Sequence, residues 1–373
     1  MKIVRVETFP VEIPIVPEKR IISALGEHSL SRYVLVRLTT DTGLSGVGEA
    51  TVMPRWSGET VWGAVAVIDK LLGPLLIGQD PREILQIEQL MDRFCIHNWF
   101  AKSALEMACW DIAGKAVGKP VYELLGGAVR PRTVICRFSM GAYDVDRARR
   151  RATELVAEGF TTIKVKVGGQ AEADIARVRA VREAIGPDRQ LTIDANTGWD
   201  VDTAIHCINA LKDCRLALAE QPTADGDYAA IARVKRETGI PIMADDMCFN
   251  LVHARELVRN QACDLISVYP GKQGGIRKTK QLVEYARANG IACSIGSNLE
   301  LDVATAAMAH TVIACPNIRV EEFPGDMLGP IYHEVRVVKN PISIEGPRVT
   351  LEDRPGLGVE IDWDVVHEYR LKS

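Results

Sequence analysis

Three apolar runs that each end in an acidic residue decide the fold of this chain: LTIDAN (residues 191–196), LALAEQP (216–222) and PIMADD (241–246). Each run has the length and composition of a buried β-strand. The acids Asp194, Glu220 and Asp245 stand 26 and 25 residues apart, which is the length of one strand plus one helix. Because the carboxyl ends of successive parallel strands meet at one edge, we expect these three carboxylates to converge there.

Further apolar runs extend the same repeat in both directions along the chain. Eight such runs start 24 to 30 residues apart: TVICRF (133), TTIKVKV (161), LTIDA (191), LALAE (216), PIMAD (241), LISVY (265), ACSIG (292) and IRVEE (318). Helical segments such as residues 171–186 separate most of them. This alternation predicts a (β/α) barrel, a modified TIM barrel of about eight strands and seven helices. An open doubly wound sheet fits less well, because no glycine-rich nucleotide loop follows any strand.

The segments on either side of the repeat predict a second unit. Residues 1–130 read as an α+β capping domain, in which residues 31–50 form two antiparallel strands and residues 101–118 form a helix. Residues 131–330 then form the barrel. Residues 331–373 are strand-like and turn-like, and we expect them to return to the cap and complete it.

Composition narrows the class of protein. The 373 residues carry a net charge of −4 without runs of like charge, which argues against a nucleic acid or an anionic membrane as partner. No apolar stretch approaches the ~18 residues of a membrane span, and the chain start alternates like a strand rather than like a signal peptide. The nine cysteines are scattered without a CxxC motif, as in a reducing compartment. We therefore expect a cytoplasmic protein.

The converging acids predict a metal site. Three carboxylates at one strand edge raise one another's pKa unless a cation lies between them. Ligands that are all oxygen atoms favour a hard cation, so Asp194, Glu220 and Asp245 are candidate ligands of Mg²⁺, with Mn²⁺ as a substitute.

Lysines flank the same predicted edge. Lys164 and Lys166 are two residues apart on one strand, so both face the barrel mouth. Buried beside a metal, such lysines are expected to have lowered pKa values and to act as general bases near pH 7. Lys272 follows the strand at residue 265. A metal with lysines around it suits binding of a carboxylate and removal of its α-proton to give an enediolate.

Five motifs carry a resemblance to a known family: TIKVKVG (162–168), DANTGW (194–199), EQP (220–222), MADD (243–246) and YPGKQGG (269–275). They look like those of the muconate lactonizing enzyme (muconate cycloisomerase) subgroup of the enolase superfamily, and the resemblance covers nearly the whole chain. It implies that the three acids bind Mg²⁺ and that Lys166 and Lys272 are acid/base residues on opposite faces of the substrate. Lys164 then assists, and Asn196 and Asp246 stand beside the ligands. Asp246 replaces the Glu of many relatives, so its partner is expected to shift.

Candidate substrate-binding residues lie in loops. The cap loops at residues 15–28 and 52–59 reach over the barrel, and Arg55 with Trp56 is placed to clamp an anionic or planar group. The alternative is a solvated Arg55 and a Trp56 packed on the barrel rim. Further candidates follow the last two predicted strands: Ser297, Asn298, Glu300 and Asp326. Glu300 also fits a helix start, and Asp326 precedes M-L-G-P where muconate cycloisomerases place a Glu.

Two sequence features that are absent reduce the number of reactions that fit, but they do not select one. No histidine takes the base position on the second predicted strand; His310 reads as core or surface, and His333 lies past the eighth strand. The eighth strand also lacks the D-x-D pair that the resemblance associates with dipeptide epimerases.

The leading hypothesis is a magnesium-dependent isomerase acting on a small carboxylate, either a racemase or epimerase or a muconate-type cycloisomerase. A dehydratase that eliminates water from a hydroxy acid is the alternative on the same site. A Schiff-base aldolase using Lys164, Lys166 or Lys272 leaves the three acids unexplained. A catalytically silent barrel would have lost one of the acids or lysines at the strand ends, but all of them are present. The resemblance also implies a homo-oligomer, without fixing its size.

Overall fold

An antiparallel sheet forms the centre of the N-terminal unit in this computed structural model, which describes residues 1–372. Its strands are β1 (Ile3–Pro14), β4 (Leu30–Thr40) and β5 (Ser45–Thr51), and a hairpin of β2 (Ile21–Ser23) and β3 (Gly26–His28) projects from it. β4 pairs with β1 and, through a tight turn, with β5, so the predicted strand pair at residues 31–50 is confirmed. Gly43 has φ of 84° in that turn, a conformation that favours glycine.

Six helices complete this unit: α1 (Pro54–Ser57), α2 (Val61–Ala66), α3 (Gly73–Leu76), α4 (Ile84–Phe94), α5 (Trp99–Val117) and α6 (Val121–Leu124). A π-helical turn at Val67–Leu72 joins α2 to α3, and a 3₁₀ turn at Pro17–Lys19 precedes β2. α5 is buried on nearly all sides. It packs against β5, where a Cβ atom at Gly48 would lie 1.8 Å from the carbonyl oxygen of Ala104, so only glycine allows this approach.

Seven parallel strands form the barrel sheet, in unbroken chain order from β7 to β13. They are β7 (Phe138–Met140), β8 (Thr162–Lys166), β9 (Gln190–Asp194), β10 (Leu218–Glu220), β11 (Ile242–Ala244), β12 (Leu265–Val268) and β13 (Ala292–Ile295). The helices between and after them are α7 (Val145–Ala157), α8 (Ala171–Ile185), α9 (Val201–Ala210), α10 (Tyr228–Thr238), α11 (Leu251–Arg259), α12 (Pro270–Gln273), α13 (Ile276–Ala288) and α14 (Asp302–Ala314). A 3₁₀ turn at Lys212–Cys214 follows α9.

The predicted barrel class is confirmed, but its first and last strands differ from the prediction. The run at residue 133 divides, because β6 (Thr133–Ile135) pairs outside the barrel sheet and only β7 enters it. The run at residue 318 forms one bridge, between Ile318 and Cys293, in place of a strand. The following residues close the barrel irregularly through two backbone hydrogen bonds. The Asp326 N–H donates to the carbonyl of Ile295, and the Arg137 N–H donates to the carbonyl of Gly325. Pro324 has no N–H for a regular ladder.

The C-terminal segment contacts both units. β14 (Ser343–Glu345) and β15 (Arg348–Thr350) extend β6, and a 3₁₀ turn at Gly329–Tyr332 precedes them. Gly356 bridges to Pro120, Arg370 bridges to Val11, and α15 (Trp363–Glu368) packs Trp363 against Phe9. The domain boundaries at residues 130 and 330 stay predictions.

The state of the cysteines and the character of the helices were both considered in the sequence. All nine cysteines are free thiols, and eight of them are buried. Within residues 1–372, no helix combines the length and apolar character needed to cross a membrane.

Candidate active site

The alternation of side chains along β8 aims both of its lysines into the barrel mouth. Ile163 and Val165 are fully buried on the opposite face of the strand. The register then sets the neighbours: Lys166 lies beside Asp194 on β9, and Asp194 lies beside Glu220 on β10. Asp245 directly follows β11, the next strand. The structure thus brings the predicted acids and lysines to one edge of the sheet.

Ion pairs tie the β8 lysines to two of the acids. Lys166 Nζ donates to Asp194 Oδ2 at 2.6 Å and to Asn196 Oδ1 at 2.5 Å. Lys164 Nζ donates to Asp194 Oδ2 at 2.9 Å and to Glu220 Oε2 at 3.1 Å. Both lysine side chains are at most 12% exposed, so little solvent screens these pairs.

The charges shift several pKa values. Burial and Arg137 lower the pKa of Lys164, but Asp194 and Glu220 outweigh them and raise it above its usual value. The pKa of Lys164 is therefore raised where two carboxylates contact its ammonium group, and the lowered pKa expected beside a bound metal stays a prediction. Burial opposes ionisation of Asp194, but Lys164 and Lys166 outweigh it and hold the pKa of Asp194 below its usual range. Burial, followed by the charge of Asp194, raises the pKa of Glu220.

Lys272 approaches the acids from the other side, on the short helix α12. Its Nζ donates to Asp245 Oδ1 at 2.6 Å, to Asp245 O at 3.0 Å and to Ser267 O at 2.6 Å. The side chain is fully buried, and Nζ lies 4.9 Å from the centre of the Tyr269 ring.

Arg137 also contacts the polar ring, by which we mean the acids and lysines at the barrel mouth. This residue was not predicted from the sequence. It directly precedes β7, is 1% exposed, and donates from Nη2 to Glu220 Oε2 at 3.1 Å. Its Nε atom is buried without a hydrogen-bond partner. The signal in the sequence is a single arginine inside the apolar run TVICRF, since a buried arginine requires a buried acid.

The three acids have the donor atoms that a magnesium ion requires, and they lie at the ends of adjacent strands. All three are oxygen donors that follow adjacent strands, and Asp194 and Asp245 both raise the pKa of Glu220, so the carboxylates interact electrostatically. Among residues 1–372, however, no three ligand-type side chains already surround one point. The carboxylate oxygen atoms that would bind the ion already contact ammonium groups: Lys164 contacts Asp194 and Glu220, and Lys272 contacts Asp245. Binding of a cation therefore requires these lysines to give up part of their contacts.

Asp246 has a partner from the N-terminal unit. Trp56, at α1, donates from Nε1 to Asp246 Oδ1 at 2.7 Å, and Asn196 Nδ2 lies 3.5 Å from Asp246 Oδ2. Burial, followed by the charges of Asp245 and Asp194, raises the pKa of Asp246 to about 8. Trp56 also stacks on Tyr269, with ring centres 5.6 Å apart. The indole thus packs on the barrel rim and at the same time binds the polar ring.

The other loop candidates bind mostly to each other. Arg55 donates to the carbonyl of Leu25 at 2.7 Å and so ties α1 to the β2–β3 hairpin. Ser297 Oγ donates to Glu300 Oε2 at 2.7 Å, and the Asn298 backbone N–H donates to the same carboxylate. Burial raises the pKa of Glu300 to about 7. Glu300 therefore shapes the loop before α14.

Asp326 lies where the irregular closing segment meets β7. Ser139 Oγ donates to Asp326 Oδ2 at 2.8 Å, and the Leu328 N–H donates to Oδ1 at 3.0 Å. Both carboxylate oxygens thus have donors within the protein. The two histidines considered in the sequence lie elsewhere: His310 is buried in α14, and His333 is buried with its Nε2 2.5 Å from Tyr33 Oη.

One cavity of about 480 Å³ joins these parts. Its wall on the barrel side includes Lys164, Lys166, Asn196, Glu220, Asp245 and Asp326. Its wall on the cap side comes from the β2–β3 hairpin, Arg55 and Trp56, and Ser297 and Asn298 complete it. Tyr269 also lines the cavity, and Lys272 Nζ lies over its ring, whereas Lys272 and Asp194 are fully buried and are not part of the wall.

Comparison with family models matches most of the chain. The model of the mandelate racemase/muconate lactonizing enzyme N-terminal domain matches residues 4–126, and the model of the enolase C-terminal domain-like fold matches residues 147–365.

Characterised relatives match over nearly their whole lengths. The hydrophobic dipeptide epimerase of Enterococcus faecalis is 35% identical over 338 residues, which is 90% of this chain and 94% of that protein. Muconate cycloisomerase 1 of Rhodococcus opacus is 33% identical over 371 residues, 98% of each chain.

Solved structures have the same architecture. The N-succinyl Arg/Lys racemase of Bacillus cereus superposes with a TM-score of 0.95 at 28% identity, covering 100% of this chain and 99% of that one. The dipeptide epimerase of E. faecalis, complexed with Mg and the dipeptide L-Leu-L-Tyr, gives a TM-score of 0.91 at 34% identity, covering 96% and 100%.

Proposed function

The chain belongs to the mandelate racemase/muconate lactonizing enzyme family of the enolase superfamily and is an isomerase, and from this premise we propose that it moves the α-proton of a small carboxylate with the help of Mg²⁺. Superfamily members bind Mg²⁺, and a structural relative holds it together with a dipeptide. Racemisation or epimerisation is the leading reaction.

One observation carries this proposal: the order of charged groups around the barrel. Five adjacent strands, β8 to β12, each end in or lead into one charged group, in the order Lys166, Asp194, Glu220, Asp245 and Lys272. The three acids thus stand between the two lysines. A carboxylate held at the acids would have a lysine nitrogen on each side of its α-carbon, as removal and return of a proton on opposite faces requires.

Asp194, Glu220 and Asp245 would hold the ion. When bound, Mg²⁺ would hold the substrate carboxylate and offset the negative charge that grows on it as the α-proton leaves. Lys164 would assist from the same side as Lys166, since both lysines lie on β8 and line the cavity.

The proton moves between substrate and lysine. Lys166 Nζ, at the cavity wall and oriented by Asn196 Oδ1, would take the α-proton from one face in its neutral form. Lys272 in its ammonium form would donate a proton to the opposite face. The two roles are exchanged for the other enantiomer, so the protein returns to its starting protonation state after one turnover in each direction, or after Lys166 loses a proton to water and Lys272 gains one from it.

A specific observation favours muconate-type cycloisomerisation as the second candidate. Lys272 is fully buried, whereas Lys166 lines the cavity. Cycloisomerisation needs only one lysine to protonate the substrate, so it fits a site in which Lys166 alone lines the cavity.

Deuterium incorporation tests the proposal. The protein is incubated with Mg²⁺ in deuterated water with each of three probes, L-Leu-L-Tyr, N-succinyl-L-arginine and muconolactone, and products are followed by mass spectrometry and NMR. We expect deuterium at the α-carbon of at least one probe, and loss of incorporation after removal of metal with EDTA.

The outcomes separate the reactions. Inversion with deuterium uptake supports a racemase or epimerase, and ring opening of muconolactone supports a cycloisomerase. Acid sugars are added as probes for loss of water, which would identify a dehydratase. A borohydride-stable adduct with pyruvate, without any deuterium uptake, would contradict the proposal in favour of a Schiff-base lysine.

A further inference from the structure

We propose that Trp56 is a positioning residue, through which the N-terminal unit orients the acid/base residue Lys166. The connection runs from the indole N–H through Asp246 and Asn196 to the lysine nitrogen. It deepens the proposed function and rests on it, because it gives Lys166 the role assigned above.

Packing fixes the orientation of the Trp56 indole. Its ring stacks on Tyr269 with an interplanar angle of 14°, and Phe249 and Phe100 contact it with ring centres 5.1 and 6.0 Å away. A ring enclosed on three sides has little rotational freedom, so its N–H direction is set. That N–H donates to Asp246 Oδ1 at 2.7 Å.

Asp246 in turn selects the orientation of the Asn196 side-chain amide. Its second oxygen, Oδ2, faces the Asn196 NH₂ group at 3.5 Å, and the Asn196 oxygen accepts from Lys166 Nζ at 2.5 Å. Reversing the amide would set an NH₂ group against the lysine ammonium group and take away the donor that now faces Asp246 Oδ2. With Asp246 held by Trp56, only one amide orientation satisfies both neighbours, and it presents an acceptor to Lys166.

The Asn196–Asp246 contact is the longest in this series, so it is the link most sensitive to displacement of Asp246. The backbone N–H of Asn196 donates to Asp194 Oδ1 at 3.0 Å, which keeps the residue itself in place. Loss of the Trp56 hydrogen bond therefore leaves Asn196 present but its amide less well oriented.

The two lysines differ in this respect. Lys272 Nζ binds the carbonyls of Asp245 and Ser267 and the carboxylate of Asp245, and all three atoms belong to the barrel. The indole N–H of Trp56 makes no contact in that set. We therefore expect removal of the N–H to affect the Lys166 face of the substrate and to leave the Lys272 face unchanged.

The first experiment needs no substrate. The chain contains six tryptophans, so ¹⁵N-labelled protein gives six indole N–H resonances, and the one lost in Trp56→Phe identifies Trp56. Asp246→Asn and Lys166→Met should both shift this resonance, the second only if the connection to the lysine exists. Trp110, whose Nε1 donates to Glu106 at 2.7 Å, is a matched indole that is partly buried like Trp56, and its resonance should stay in place. A Trp56 resonance that does not move in Lys166→Met overturns the proposal.

The second experiment uses the probe that exchanges deuterium, in both configurations at its α-carbon. Trp56→Phe keeps the stacked ring and removes the donor. It should slow exchange from the enantiomer that depends on Lys166 by about ten- to a hundredfold, with little change for the other enantiomer. Trp56→His, which restores an N–H, should recover part of the loss, and Trp110→Phe should change neither rate.

The results distinguish failure of the two proposals. Equal slowing of both enantiomers in Trp56→Phe, or no slowing of either, overturns the positioning role while leaving the isomerase proposal intact. If wild-type protein exchanges no probe, the proposed function fails, and the indole resonance alone supports or overturns the connection from Trp56 to Lys166.

Discussion

Two sets of buried carboxylates have opposite kinds of partner. The site acids, Asp194, Glu220 and Asp245, are neutralised by lysine and arginine side chains at the barrel mouth. The seam acids, which we define as Glu49 and Glu106, lie in the N-terminal unit where it meets the barrel helices, and they bind backbone N–H groups.

The seam acids hold elements together. Glu49 on β5 accepts from the N–H groups of Leu301 and Ala304 at the start of α14, and Glu106 on α5 accepts from Ile276 and Arg277 at the start of α13. Both carboxylates thus bind the first turn of a barrel helix, where free N–H groups and the helix dipole favour an acceptor. Burial nevertheless raises the pKa of Glu49 and of Glu106 to about 8.

The difference between the sets lies in whether the partner can be exchanged. A backbone N–H at a helix start has no other acceptor in the interior, so the seam acids contribute stability. An ammonium group on a lysine side chain can move when a cation or a substrate arrives, so the site acids keep their charge available for binding. Substitutions in the two sets should therefore affect different measurements.

The largest effect is expected from the lysines that partner the site acids. Lys166→Met and Lys272→Met should each lower α-proton exchange from one enantiomer by about a thousandfold, the loss typical of a missing acid/base group. Each substitution also leaves a buried carboxylate without its ion-pair partner, so urea unfolding is measured to confirm that the variant is folded under the assay conditions. Exchange in deuterated water measures the rates, and Lys339→Met, an exposed lysine paired with Glu360, is the control. Undiminished exchange of both enantiomers in both variants would rule out the two-lysine scheme.

A seam acid should have the next largest effect, and on stability. Glu106→Ala leaves the N–H groups of Ile276 and Arg277 and the indole of Trp110 without an acceptor, at a cost of about 3 kcal/mol. Urea denaturation measures the free energy of unfolding. Glu284→Ala, on the exposed surface of α13, should cost less than about 0.5 kcal/mol. Equal midpoints for the two variants would sink the distinction between the sets.

Removal of a ligand charge should have a smaller effect, visible in metal binding. Glu220→Gln should weaken Mg²⁺ binding at least about ten- to a hundredfold, since even outer partners of a metal contribute that much. Isothermal calorimetry measures the affinity, with Glu49→Gln as the seam-acid control that should bind Mg²⁺ normally. An unchanged affinity in Glu220→Gln contradicts its assignment as a ligand.

The smallest effect concerns a histidine at the same seam. His310 Nδ1 accepts from the Tyr122 N–H at 3.1 Å, and Nε2 lies 3.2 Å from Leu357 O, so the ring is satisfied in its neutral form. Burial lowers its pKa to about 4, from 6.5 in the unfolded chain. The unfolded state therefore binds the proton first, and stability is lost as the pH falls from 6.5 towards 4.

The loss should reach about 1.4 kcal/mol at pH 5.5 relative to pH 8. Urea midpoints of wild type and His310→Gln, compared at the two pH values, isolate this contribution from that of the carboxylates. If the glutamine variant loses as much stability on acidification as wild type, His310 does not titrate in this range.

The strand-end acids and lysines were predictable because the barrel repeats at regular chain intervals. One strand and one helix separate Asp194 from Glu220 and Glu220 from Asp245, so chain position alone sets the order around the barrel. The alternation along β8 likewise placed Lys164 and Lys166 on one face. Both inferences depend only on local backbone geometry.

Features that depend on distant segments were not predictable. Nothing in the sequence indicates that Glu49 and Glu106 bind the barrel helices, since the backbone N–H groups that they accept from lie 170 or more residues away in the chain. Arg137 stood in a predicted strand, and its acid, Glu220, lies 83 residues further on. The closing segment read as a strand because IRVEE has strand composition, but its proline and its position between β13 and β7 prevent regular pairing.

The sequence by itself determined the barrel, the antiparallel pair of β4 and β5, and the ring of acids and lysines, because periodicity and strand alternation are properties of neighbouring residues. Only the tertiary structure decided that Trp56 reaches Asp246, that Lys272 is fully buried and that two carboxylates raise the pKa of Lys164. These features depend on which side chains packing brings into contact, and burial with a given charge at hydrogen-bonding distance sets the balance between desolvation and ion pairing.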